Sequence, residues 1–163
     1  MSRKWVINAS PLIVLTKISQ VDILHQMCSE IVIPSGVVQE INSGPENDPA
    51  RIWIRDKGKS WVREFSQIDP LVAAWDIGLG ESQVLSWAYN HPDYEAILDD
   101  RAAKNAALSL GIPVRGTLGV ILLAKQEGRL LQIKPILEEL VAVGFRVSPQ
   151  VLQAVLQLSN EDS

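Results

Sequence analysis

The sequence predicts an α/β fold, a three-layer α/β/α sandwich built on a short-stranded parallel sheet. Three observations carry this. Apolar runs of three residues recur at Trp5–Ile7, Ile31–Ile33, Ala96–Leu98 and Ile112–Val114. Each is followed within a few residues by turn chemistry and a stretch of helical periodicity. Short buried strands alternating with helices imply parallel pairing, right-handed crossovers and helices on both faces. At 163 residues and 47% apolar composition, the chain suffices for one core. Residues 1–158 are read as a single domain and 159–163 as a polar, disordered tail.

Taken in order, Trp5–Ile7 is a strand and Asn8–Ala9–Ser10–Pro11 a turn into a helix, with Ser10 as N-cap and Pro11 at the first helical position. Val21 to Met27 continues as a second helical stretch. Ile31–Ile33 stops at Pro34, and from Ser35 a helix buries Val37, Val38 and Ile41, with Glu40 beside that face. Residues 42 to 49 read as loop. A short helix over 50–56 packs Ile52 and Trp53, and the alternation of Trp61, Arg63 and Phe65 suits an edge strand. Leu79–Gly80–Glu81–Ser82 opens a helix whose first turn holds Glu81, a favourable place for an anion.

Ala96–Leu98 ends in Asp99 and Asp100, where the next helix begins. Neighbouring strand residues point to opposite faces, so one of the pair can face a site while the other caps the helix. Gly116–Thr117 starts a helix running to Gly128, and two more follow at 135–143 and 149–158. The five tryptophans form no periodic stripe and read mostly as core or dimer contacts.

Composition narrows the chemistry. A formal net charge of −4 makes no global field that attracts nucleic acid, so such contacts must be local. One cysteine, Cys28, forms no internal disulfide, and with His25 and His91 as the only histidines no Cys/His zinc cluster can be assembled. No apolar run approaches the ~20 residues of a membrane span, and a cytoplasmic protein is expected.

Asn8, Glu40, Glu81, Asp99 and Asp100 all fall at strand carboxyl ends or in the helices that follow, the edge where open α/β sheets bind ligands. Carboxylates brought together repel unless a cation neutralises them, and an oxygen-only set suits Mg²⁺ or Mn²⁺. Such an ion orients a phosphate and activates water, which points to a metal-dependent nuclease. Ser10 and Thr117 read equally as helix caps. Arg101, Lys104 and Arg115, with Lys17 and Lys125, are candidates to rim the site and hold a phosphate backbone.

The segments VINASPLIVLTKI, IVIPSGVVQEI, GLGESQVLSWA, AILDDRAAKNAALSLGIPVRGTLGVILLAKQEGRL and KPILEELVAVGFRVS together resemble the PIN-domain superfamily, and more narrowly a branch similar to VapC-type toxins. The resemblance implies a ribonuclease that hydrolyses RNA phosphodiesters with Mg²⁺ or Mn²⁺. It further implies a homodimer and the toxin half of a toxin-antitoxin pair, silenced by a small antitoxin protein. Carried over by motif, the four acid positions fall on Asn8, Glu40, Glu81 and either Asp99 or Asp100. Asp100 is preferred for metal contact because a basic residue follows it. Ser10 and Thr117 match small hydroxyl positions that line the pocket, and Arg101, Lys104 and Arg115 become RNA-contact candidates. Asn8 departs from the pattern, since an amide brings no charge and cannot act as a base. The alternative is therefore a degenerate PIN domain that binds RNA or a protein without cleavage.

Overall fold

A computed structural model describes residues 3–64 and 67–161. Five strands form one parallel sheet: β1 (Lys4–Ile7), β2 (Glu30–Pro34), β3 (Val62–Arg63), β4 (Tyr94–Ile97) and β5 (Val114–Arg115), in the order β3-β2-β1-β4-β5. Helices pack on both faces, the α/β/α arrangement expected from the sequence. They are α1 (Ala9–Lys17), α2 (Ile23–Met27), α3 (Ser35–Asn42), α4 (Pro49–Trp53), α5 (Pro70–Ala73), α6 (Leu79–Asn90), α7 (Arg101–Ser109), α8 (Thr117–Gln126), α9 (Lys134–Ala142) and α10 (Pro149–Leu158). Because β1 sits between β2 and β4, the chain reverses its progress across the sheet there. The crevice beyond the carboxyl ends of β1 and β4 is thus a topological switch point.

The three central strands are buried on both faces, whereas the edge strands β3 and β5 are partly exposed. Trp5, Val6, Ile7, Ile33, Ala96 and Ile97 are fully inaccessible, and the register Trp5↔Glu95, Val6↔Ala96, Ile7↔Ile97 stacks them across the centre. The ladder runs one residue past β1, where the Asn8 N–H donates to the Ile97 carbonyl at 2.9 Å.

Several boundaries differ from the sequence reading. Asn8, not Ser10, stands at the N-cap position of α1, and Ser10 lies inside the first turn. The fifth strand is Val114–Arg115 instead of Ile112–Val114, since Ile112 N–H is bound to Ala107 O at the end of α7 and Pro113 has no donor for a ladder. The stretch 50–56 is a short α4 that widens into a π-helical turn at Ile54–Gly58. Gly58 permits this, because a Cβ there would meet the Trp53 ring at 2.6 Å. Helix α5 was not expected; Asp69 caps it through the Leu71 N–H and Pro70 begins it. Val62–Arg63 is the expected edge strand, while Phe65 lies outside the described residues. Of the segment expected as a tail, Ser159 is buried and the Glu161 carboxylate accepts from Lys125 Nζ at 3.0 Å and from the Ile133 and Lys134 N–H groups. Asp162 and Ser163 lie outside the described residues. Burial opposes ionisation of Glu161, yet these donors outweigh it and hold its carboxyl down at about 2.

Of the tryptophans, Trp5 and Trp53 are core, Trp61 and Trp87 half-buried, and Trp75 is 40% exposed. Cys28 packs beside the core, and burial pushes its thiol up to about 12, so it stays protonated. Among the described residues, no helix is long and apolar enough to cross a membrane.

Candidate active site

Two glycines bring the acidic elements together. Helix α3 begins directly after β2, and α6 crosses it closely because Gly36 and Gly80 carry no side chains. The Gly36 N–H donates to Gln83 Oε1 at 2.6 Å, and a Cβ on Gly36 would overlap that same oxygen. A Cβ on Gly80 would lie 3.2 Å from Asn8 Oδ1, 3.2 Å from Glu40 Oε1 and 3.6 Å from Val37. The first-strand amide and the α3 carboxylate therefore converge over one bare point of α6 backbone. Glu81 follows, folded back over Gly78, where a Cβ would lie 2.6 Å from Glu81 Oε2. Burial raises the proton affinity of Glu40, and the charge of Glu81 raises it further, which places the two carboxylates within electrostatic reach.

Asn8 is 3% exposed, and its Oδ1 has no hydrogen-bond partner. A buried acceptor left unmatched costs about 1–3 kcal/mol. Here it faces Glu40 across Gly80, so a bound cation would satisfy it. Among the described residues, no three His, Cys, Asp or Glu side chains stand close enough to hold a metal ion together. Two carboxylates and an amide oxygen nonetheless fit Mg²⁺ or Mn²⁺, hard ions that retain several waters and need only one or two protein carboxylates.

The aspartate pair divides its roles. Asp100 Oδ2 accepts from the Ala103 N–H at 2.9 Å as the N-cap of α7, so the side chain preferred for metal contact is committed to its own helix. Asp99 points the other way. Its Oδ1 accepts from the Thr117 N–H at 2.8 Å and its Oδ2 from the Thr117 hydroxyl at 2.6 Å, joining the end of β4 to the start of α8. Thr117 is fully buried, and Lys104 Nζ comes to the same face of Gly116 as Asp99 Oδ1, each 2.9 Å from where a Cβ would stand. No side chain but hydrogen fits there.

Asp99 and Ser10 line a groove of about 950 Å³ between α7, the start of α8 and the α9–α10 connection. Arg101 and Lys104 line it too, whereas Asn8, Glu40, Glu81 and Asp100 do not. Arg115, the third cation proposed from sequence, donates to Glu95 at 3.1 Å, so its charge is already matched. Arg146 and Phe145 also line the groove and were not anticipated. No local periodicity marks them. Gly80 had a usable signal, an isolated glycine inside a helical pattern.

The structure is thus a parallel α/β/α sheet with Asn8 and Glu40 meeting at its switch point and a groove lined partly by cations at its carboxyl edge. The chain belongs to a PIN-domain family, DUF3368, whose model matches residues 4–161. PIN domains are generally nucleases, use divalent metals and interact with RNA. No curated protein sequence matches the chain.

Proposed function

We propose that the protein is a divalent-metal-dependent endoribonuclease of VapC type, the toxin half of a toxin-antitoxin pair, hydrolysing RNA phosphodiesters. The carrying observation is the unpartnered, buried Asn8 Oδ1 meeting Glu40 over Gly80, next to a groove lined by cations. In this reading Asn8, Glu40 and Glu81 hold Mg²⁺ or Mn²⁺, which when bound stabilises negative charge on a phosphate and acidifies its water. Glu40, whose proton affinity is raised by burial and by the charge of Glu81, is the proton acceptor in this reading. Asp99, which lines the groove, anchors the buried Thr117 behind it, and Arg101 and Lys104 hold the RNA's phosphates.

The test couples binding to cleavage. Mn²⁺ at about a hundredfold its Kd should stabilise the protein by ~2.7 kcal/mol, roughly a 5–10 °C rise in Tm. Single-stranded RNA should be cut under the same conditions and spared in EDTA. Glu40→Gln should remove both effects. It should also raise the Tm of the metal-free protein near neutral pH. An acid whose folded pKa is raised penalises the folded state once ionised, so this gain is absent below the ordinary glutamate pKa and grows as pH rises through the folded value. A flat Mn²⁺ titration would remove the metal-dependent reading.

The second reading, a degenerate domain that binds without cutting, draws on the missing charge at Asn8 and on Asp99, both of whose oxygens are engaged by Thr117. RNA binding without Mn²⁺-dependent cleavage would select it. Self-association is proposed through Leu71 and Trp75 near α5 and Leu79 at the start of α6, which are 52%, 40% and 53% exposed. Light scattering should give twice the monomer mass at micromolar concentration, and Leu79→Glu should return it to the monomer.

A further inference from the structure

The chain carries more negative than positive charge, yet its cations are not evenly used. Arg3, Lys4, Arg55, Lys57, Arg115 and Lys125 each stand within ion-pair distance of a carboxylate. The other nine of the fifteen Lys and Arg make no ion pair among the described residues, and three of these, Arg101, Lys104 and Arg146, line the same groove. Arg101 and Lys104 come from α7. Arg146 comes from the connection between α9 and α10, on the opposite wall, next to Phe145. Asp99 is the one carboxylate in that lining, and its oxygens are held by Thr117.

Ser10, Asn105 and Ser148 add polar groups, and most of what remains of the lining is apolar, contributed by Val14, Leu118, Phe145 and Val147 among others. Phosphates satisfy cations but cannot use this surface. Unstacked bases can, because a single strand offers the flat faces that a duplex hides, and an aromatic side chain is the usual platform for them. Gly144 adopts φ +97°, a turn that favours glycine and sets the Phe145–Arg146 step after α9.

We infer that the Gly144–Ser148 connection is the outer wall of a single-stranded RNA groove, with Arg146 a positioning residue that holds backbone phosphate opposite Arg101 and Lys104, and Phe145 stacking a base. This rests on the nucleolytic reading for its purpose, though its test does not require cleavage. Backbone contacts draw their affinity from counterion release, so each lost contact weakens binding across sequences and flattens the salt dependence.

The experiment is fluorescence anisotropy of the full chain with a labelled single-stranded RNA in EDTA, from 50 to 300 mM salt. Arg146→Gln should weaken binding about fivefold to tenfold at the low-salt end and reduce the log–log salt slope by roughly 0.7. Arg146 is exposed, so its substitution should leave the melting curve unchanged. Lys59→Gln, in the turn before β3 at the far edge of the sheet, should alter neither affinity nor slope. Unchanged affinity and slope in Arg146→Gln, an equal loss in Lys59→Gln, tighter binding of a duplex of the same sequence, or no binding by the unsubstituted chain would each overturn the inference. Arg146-dependent binding in a protein that cuts nothing in Mn²⁺ upholds it while removing the catalytic reading.

Discussion

Asn8→Asp is expected to tighten Mn²⁺ binding by tenfold or more and to accelerate RNA cleavage in the same metal. The substitution exchanges the unpartnered amide oxygen for a carboxylate of nearly the same shape at a position 3% exposed, facing Glu40 over Gly80. A full charge at that depth attracts a divalent cation far more strongly than an amide dipole does, and tenfold in affinity needs only about 1.4 kcal/mol. The metal-free variant should melt lower by about 1–3 kcal/mol, because a buried carboxylate without a partner is costly and Glu40 is already short of counter-charge. Adding Mn²⁺ should therefore produce a larger Tm rise than in the natural protein, and Glu40→Gln in the same chain should diminish it. A variant that melts lower but gains no metal response would show that Asn8 and Glu40 meet without forming a site.

Removing Asp99 should cost the fold more than removing Asp100, although the two are adjacent and chemically identical. Asp99 is the acceptor for two donors of a fully buried threonine, and stranding them should destabilise by about 3 kcal/mol, roughly 6–12 °C in Tm. Asp100 is a single N-cap, worth about 1 kcal/mol. Thermal melts of Asp99→Ala and Asp100→Ala give the order directly. The double variant Asp99→Ala/Thr117→Val separates structure from chemistry, since deleting both partners of a buried hydrogen bond costs little. It should recover roughly half of the stability lost in Asp99→Ala, because the hydroxyl goes while the Thr117 N–H is still without its acceptor, and it should cleave RNA no faster. Equal melting of the two single variants would contradict the assignment of Asp99 to Thr117.

The contrast between those aspartates marks how far local sequence reaches. That one of them would cap and the other face a site follows from strand alternation alone. Which does which depends on Thr117, eighteen residues onward, reaching the end of β4 through the β4–β5 pairing. The motif preference for Asp100 had no access to that contact. Arg115 is a similar case, since Glu95 takes its charge from the neighbouring strand.

Sequence by itself determined the α/β class and the parallel sheet, because burial on both faces forces continuous apolar central strands whose ends must turn into helices; it expected Asn8, Glu40, Glu81, Asp99 and Asp100 at the carboxyl edge. It also marked Asn8 as the exception among acids. Only the tertiary structure decided the rest. The closeness of α3 and α6 depends on two absent side chains, at Gly36 and Gly80, and absence has no periodicity to read. The lining of the groove depends on where α9 ends relative to α7, a long-range packing outcome that brings Phe145 and Arg146 into the same groove as Asp99. Apolar patterning is written along the chain, but which polar atoms meet is settled by helix crossings, where a single methyl group on Gly80 would crowd the Asn8 and Glu40 oxygens.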